Sequence, residues 1–157
     1  MKSTFAGSFR RRDVLVAGAA AGVLLAAPVV RAAAGRPKIG LIGSGNVGSN
    51  LGRVWAMKGY EVMFSSRDIA NDRRLAAEVG HGARAGTPQE AAAFGDVLVF
   101  AVPYGALPEL GTTLGSALQG KVVIDACNPF PQRDGGIAAA AIAEGAGLTS
   151  ARLLQGA

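Results

Sequence analysis

From Ile39 onward the chain switches repeatedly between two spacings of apolar residues. Short runs of strand length occur at Ile39-Gly40-Leu41-Ile42, Tyr60-Glu61-Val62-Met63-Phe64, Ala83-Arg84-Ala85, Asp96 to Val102 and Lys121-Val122-Val123-Ile124-Asp125. Between them, apolar residues recur every three or four positions, the period of a helix with one buried face. This spacing predicts helices over Val47 to Lys58, Asn71 to Val79, from Thr87 onward, Leu107 to Leu118, Gly136 to Glu144 and Thr149 to Leu154. Punctuation residues support the boundaries. Lys58-Gly59 and Gly80 are stops, and Thr87-Pro88-Gln89-Glu90 offers a capping Thr, a Pro at the first helical position and a Glu to close the capping box. Asp96 to Val102 is the most apolar strand and ends at Pro103. Regular alternation of strand and helix argues for an α/β fold, a parallel sheet of about five strands covered on both faces.

The turn after the first strand carries the sharpest chemistry. Gly43-Ser44-Gly45-Asn46-Val47-Gly48 has glycines at the spacing G-x-G-x-x-G, between a strand and a helix, with a second strand following. Gly43 permits a tight turn, Gly45 lets backbone approach a pyrophosphate, and Gly48 lets the helix pack closely on the sheet. The helix start then offers unpaired N–H groups and a positive dipole end to the phosphates. A glycine-rich turn with no ligand is the plainer alternative, but the flanking strand–helix–strand order makes this a Rossmann-type doubly wound unit. The end of the second strand selects the cofactor. NAD-specific folds usually place an acid there, whereas this chain has Ser65, Ser66 and Arg67. Two hydroxyls and a guanidinium fork suit a 2′-phosphate, so NADP (NADPH) is the expected cofactor. Arg73 and Arg74 add positive potential, while Asp68 would favour NAD if the strand ran further.

Two other segments fall where open α/β sheets bind ligands, at the carboxyl ends of adjacent strands. They are Ala101-Val102-Pro103 and Asp125-Ala126-Cys127-Asn128-Pro129. No catalytic acid, base or nucleophile stands out, which is compatible with hydride transfer, where the cofactor supplies the reactivity. Tyr104 and Asn128 are candidate substrate contacts, although Tyr104 suits packing at a helix start equally well. Cys127 is expected to be a small buried residue and Asp125 a loop cap.

Residues 1–34 differ in kind. Lys2 and Arg10-Arg11-Arg12 precede an uncharged run from Val14 to Val30, and Ala32-Ala33-Ala34 offers a cleavage site, the pattern of a secretion signal. Arg11-Arg12-Asp13-Val14-Leu15 resembles the twin-arginine export motif, so the expected location is periplasmic. The uncleaved alternative is a membrane anchor. However, the run of about 17 residues is short of the roughly 20 needed to span and contains Pro28, so no stable anchor is expected. This leader, with five bases against Asp13, holds +4 of the formal +5 charge. The remainder, residues 35–157, is nearly neutral, which removes the case for nucleic-acid binding. Cys127 is the single cysteine, and no Cys/His cluster has metal-ligand spacing. His81, the single histidine, sits in a Gly-His-Gly turn with little claim to catalysis.

Taken together, the glycine turn, Ser66-Arg67, Ala101-Val102-Pro103 and Asp125-Ala126-Cys127-Asn128-Pro129 resemble the NADPH-dependent reductases of the deazaflavin coenzyme F420 and their NADP-binding relatives, over Lys38 to Pro129. The resemblance implies that Ser44, Asn46 and Val47 line the pyrophosphate, that Ser66 and Arg67 hold the 2′-phosphate, and that Ala101, Val102 and Pro103 border the nicotinamide. It also implies a flavin-like or small organic hydride acceptor. Asn71 departs from the family, which often has a lysine there. The sequence ends where the family continues into another strand, so a chain truncated at its carboxyl terminus, with one uncovered sheet edge, is expected. Homo-oligomerisation stays open. The competing reading is a non-catalytic dinucleotide-binding module or a remnant of such a reductase.

Overall fold

The computed structural model describes residues 35–156. The export leader expected over residues 1–34, with its membrane-anchor alternative, lies outside the described residues. Among those described, no helix is long and apolar enough to cross a membrane.

The chain runs β1 (Ile39–Ile42), α1 (Asn46–Met57), β2 (Val62–Ser65), α2 (Ile69–Val79), β3 (Arg84–Ala85), α3 (Pro88–Phe94), β4 (Val97–Phe100), α4 (Leu107–Leu114), β5 (Val122–Asp125), α5 (Pro131–Asp134), α6 (Gly136–Glu144) and α7 (Ala146–Leu153). Single 3₁₀ turns at Tyr104–Ala106 and Gly115–Leu118 flank α4. Every strand pair is parallel and the order is β3-β2-β1-β4-β5, a doubly wound Rossmann-type sheet. The register keeps the carboxyl ends level: Ile42 lies opposite both Ser65 and Phe100, and Phe100 opposite Asp125. Four strands therefore release their chains along one line. Between β1 and β4 the order reverses, opening the crevice where such sheets bind ligands.

Side-chain alternation sorts the core onto two faces. Ile39, Leu41, Val62, Phe64 and Val99 lie beneath Ala56 of α1 and Ala76 and Val79 of α2. Ile42, Leu98 and Phe100 lie on the opposite face against Ala91, Leu107, Leu114, Ala141 and Leu154. Leu98, Val99 and Phe100 are each fully buried, which is why β4 is a continuous apolar run and not an alternating one. Helix α1 sits close because Gly48, Gly52 and Ala56 form its buried stripe. A Cβ on Gly52 would come within 2.3 Å of Phe64 and 2.4 Å of Leu41.

Several boundaries differ from the sequence reading, each for a local reason. Helix α2 begins at Ile69, not Asn71, because the Asp68 side chain caps it by accepting from the Asn71 N–H. The helix expected over Leu107 to Leu118 breaks at Gly115, whose φ is +31°. Helix α7 starts earlier than Thr149, and α5 was not expected. The capping box at Thr87 and Glu90 is present in full. Strand β5 lies at one edge of the sheet, with Val122 62% and Ile124 43% exposed.

Candidate functional site

A cleft of about 590 Å³ opens over the carboxyl ends of β1, β2 and β4. Gly43, Ser44 and Gly45 form one wall, Ser66 and Arg67 a second, and Ala101, Val102 and Pro103 a third. A smaller adjoining hollow joins Gly45, Asn46 and Val47 to Asn128 across the same Ala101–Pro103 segment. Eleven of the thirteen residues expected to contact a cofactor thus border one continuous region. Gly48 and Ser65 do not.

The glycine turn has the dimensions its sequence implies. Gly43 adopts φ +103°, and a Cβ there would meet the Ala101 carbonyl oxygen at 2.4 Å. Gly48 lies beneath the turn, where a Cβ would fall 1.9 Å from the Gly43 carbonyl oxygen. Gly45 is different: it has ordinary extended backbone, and a Cβ would meet nothing within 4 Å. It is also the N-cap of α1, without a side-chain cap or an acid in the first turn. Open space before uncapped N–H groups fits a pyrophosphate, which would occupy the volume and accept from those donors.

One of the two serine assignments, Ser65, needs correction. Ser65 is fully buried and its hydroxyl donates to the Leu41 carbonyl oxygen at 2.6 Å, so it belongs to the sheet and faces no ligand. Ser66 does line the cleft, but its hydroxyl donates to Asp72 Oδ2 at 2.8 Å, while the oxygen accepts from the Asp68 N–H at 3.1 Å. Its single proton is therefore committed. Arg67 is exposed at the cleft and enters no hydrogen bond or ion pair among the described residues. Asp68, the residue that would favour NAD, is engaged as the α2 cap.

Of the candidate substrate residues, Asn128 borders the smaller hollow, whereas Tyr104 is structural. Tyr104 is fully buried, its hydroxyl donating to the Ala146 carbonyl oxygen at 2.9 Å and lying 3.1 Å from Ser150 Oγ. Asp125 accepts from the Cys127 N–H at 2.8 Å, the loop-capping role expected of it. Cys127 is buried, its thiol donates to the Phe100 carbonyl oxygen at 3.4 Å, and burial pushes its pKa up to about 12. A thiol so held is no nucleophile at neutral pH. His81 occupies an exposed turn at φ +51° and borders neither hollow. No cluster of metal-ligating side chains occurs among the described residues.

Three residues that the sequence reading passed over organise the site. Asp72 is one. Its signal was present, because Asp72, Ala76 and Val79 form the buried stripe of α2 and a carboxyl group is out of place there. The others are Arg133 and Asp134, on the short helix α5, which closes the far side of the cleft. Arg133 donates to both Asp134 oxygens, at 2.9 and 2.7 Å, and to the Asn128 carbonyl oxygen at 2.8 Å. Asp134 also accepts from the N–H groups of Gly105 (3.2 Å) and Phe130 (3.0 Å). The Arg133 hydrogen bond, followed by these two backbone donors, holds the Asp134 carboxyl well below its ordinary range. A depressed pKa stabilises the fold above the unfolded-state value near 4, and this contribution fades as pH falls below it. Asp134→Asn should accordingly lower the melting temperature at pH 7 and lower it by a smaller margin at pH 3, since the contribution is lost fully only once pH falls below the folded-state value. Thermal melts at the two values check this, and a deficit independent of pH would exclude the charge-based account.

Comparison with known proteins agrees with this architecture. The family described as NADP oxidoreductase, coenzyme F420-dependent, matches residues 38–129. A protein described as an F420-dependent NADP reductase from Arthrobacter sp. FB24 superposes with a TM-score of 0.54 at 25% identity, over 60% of this chain and 46% of its own. An imine reductase variant from Myxococcus stipitatus, solved with NAD⁺, shares the fold at 0.54 and 23% identity, over 71% and 38%. Lactate dehydrogenase from Eimeria maxima, solved with NADH and oxamate, does so at 0.55 and 15%, over 78% and 41%. The aligned region is thus less than half the length of each of these proteins. No curated protein sequence matches. The level carboxyl ends, the glycine turn and the matched span agree that the chain belongs to the family of coenzyme F420-dependent NADP oxidoreductases.

Proposed function

We propose that the chain binds NADP(H) across the carboxyl ends of β1, β2 and β4 and serves hydride transfer to a flavin-like, F420-type or small organic acceptor. The observation that carries this reading is Gly45, whose Cβ position is empty at the uncapped N-terminus of α1 and borders the same cleft as Arg67. When bound, the nicotinamide supplies the hydride or takes it up. The chain's own residues bind and orient. The N–H groups of α1 face the pyrophosphate charge, and Arg67 presents a planar fork to the 2′-phosphate. Ala101, Val102 and Pro103 give an apolar wall that excludes water from the transfer site. None of these steps needs a side chain to move a proton; of the two carboxylates lining the cleft, Asp134 is committed to Arg133 and Glu109 has no part in the scheme.

The test is a fluorescence titration of the full chain with NADPH and NADH, beside Arg67→Ala. Loss of a charge-assisted phosphate contact worth about 1.5–3 kcal/mol should weaken NADPH by about 10- to 150-fold and leave NADH nearly unchanged. An equal loss for both would show that Arg67 does not read the phosphate. Saturable NADPH binding without turnover across a panel of deazaflavin, flavin, carbonyl and imine acceptors would favour a nucleotide-binding module instead.

A further inference from the structure

The buried carboxylate of Asp72 has no use in the binding scheme so far. It is fully buried, yet it forms no ion pair among the described residues. Burying a carboxylate without a cation is costly unless hydrogen bonds to it are complete. Here they come from two hydroxyls, Ser44 to Oδ1 and Ser66 to Oδ2. These serines stand on the two loops that would hold a dinucleotide's pyrophosphate and adenosine ribose, and both border the main cleft. Asp72 therefore ties the glycine turn after β1 to the end of β2, from beneath.

A serine hydroxyl has one proton. With both protons directed inward, Ser44 and Ser66 can offer only lone pairs to a ligand. Such a surface accepts from a ribose hydroxyl and repels phosphate oxygens, and the charge beneath it acts in the same sense. The positive side of the balance is Arg67, with Arg73 and Arg74 exposed on α2 and Arg74 donating to Asn71 Oδ1 at 3.1 Å. Building on the dinucleotide reading, we propose that Asp72 is a specificity-determining positioning residue: by taking the protons of Ser44 and Ser66 it opposes Arg67 and restrains the preference for the 2′-phosphorylated cofactor.

Asp72→Asn tests this with little change of shape. An Asn can accept from one serine but must donate to the other, which frees one hydroxyl proton for the ligand and removes the charge. Dissociation constants for NADPH and NADH are measured on wild type and variant, with circular dichroism and melting of the ligand-free proteins. The expected result is a shift of the NADH-to-NADPH Kd ratio of about tenfold toward NADPH. A shift below about threefold, or toward NADH, overturns the proposal. Ser66→Ala supplies a second arm that decides alone if Asp72→Asn does not fold. With its proton committed to Asp72, loss of the Ser66 hydroxyl should leave the ratio unchanged or move it toward NADPH. Selective weakening of NADPH by about fivefold or more would show Ser66 donating to the phosphate, and would overturn the proposal. Wild-type protein that binds neither nucleotide overturns the dinucleotide reading and this proposal together, whereas wild-type binding with an unmoved ratio overturns this proposal alone.

Discussion

Gly45→Val is expected to abolish binding of NADPH and NADH alike in a protein that still folds. The position has ordinary extended backbone, and a Cβ there touches nothing within 4 Å, so the fold leaves room for a branch at this point. The cost to the fold is confined to replacing a glycine N-cap by a β-branched residue, about 1 kcal/mol. In the cleft, however, the isopropyl group fills the space before the N–H groups of α1, where a pyrophosphate would have to sit. Affinity should fall at least about 100-fold for both nucleotides, equivalent to about 2.7 kcal/mol. The check is a titration alongside a thermal melt. Retained affinity would mean that the pyrophosphate does not approach this turn.

Three residues on, Gly48→Val should behave in the opposite way and damage the fold itself. A Cβ at Gly48 would lie 1.9 Å from the carbonyl oxygen of Gly43 and 3.4 Å from the Ala101 Cβ. The first of these is backbone, held by the Gly43 N–H donating to the Ser65 carbonyl oxygen at 2.9 Å, so it cannot swing aside. Relief requires lifting α1 from the sheet, with loss of contacts along Gly48, Gly52 and Ala56. Overpacking of this kind costs about 3 kcal/mol or more, a fall in melting temperature of about 10 °C or more for a domain of this size. Urea denaturation should show the midpoint falling at constant slope. A midpoint near that of wild type would mean that the helix sits further from the turn than 1.9 Å implies. Together the two variants separate what the glycine turn does for a ligand from what it does for the sheet.

The site was legible in the sequence only as far as local chemistry reaches. Gly43, Gly45 and Gly48 declare themselves because a tight turn and close approaches require the absence of a Cβ, a property of single residues. Arg67 declares itself as a guanidinium just beyond an apolar run. Ser65 and Ser66 look alike in sequence, two hydroxyls before an arginine, yet one is sealed against the Leu41 carbonyl and the other borders the cleft. Strand alternation separates them, and the difference turns on where β2 ends: at Ser65, one residue beyond the apolar run. Asp68 was ambiguous for the same reason, and its role as the cap of α2 follows once that helix is seen to begin at Ile69.

By itself the sequence determined the succession of strands and helices, the parallel sheet, the glycine turn and the capping box at Thr87, since each depends on residues a few positions apart. Tertiary structure alone decided which polar groups meet. Ser44 and Asp72 are 28 positions apart, and Gly105 and Asp134 are 29 apart. Such pairs arise because a parallel register brings the ends of β1, β2 and β4 to one level, and helices returning across the sheet set their first turns beside it. A buried carboxylate can be suspected from its place in an apolar stripe, but its partners are set by the packing of elements far apart in the chain. The proton balance under the cleft is accordingly a property of the fold.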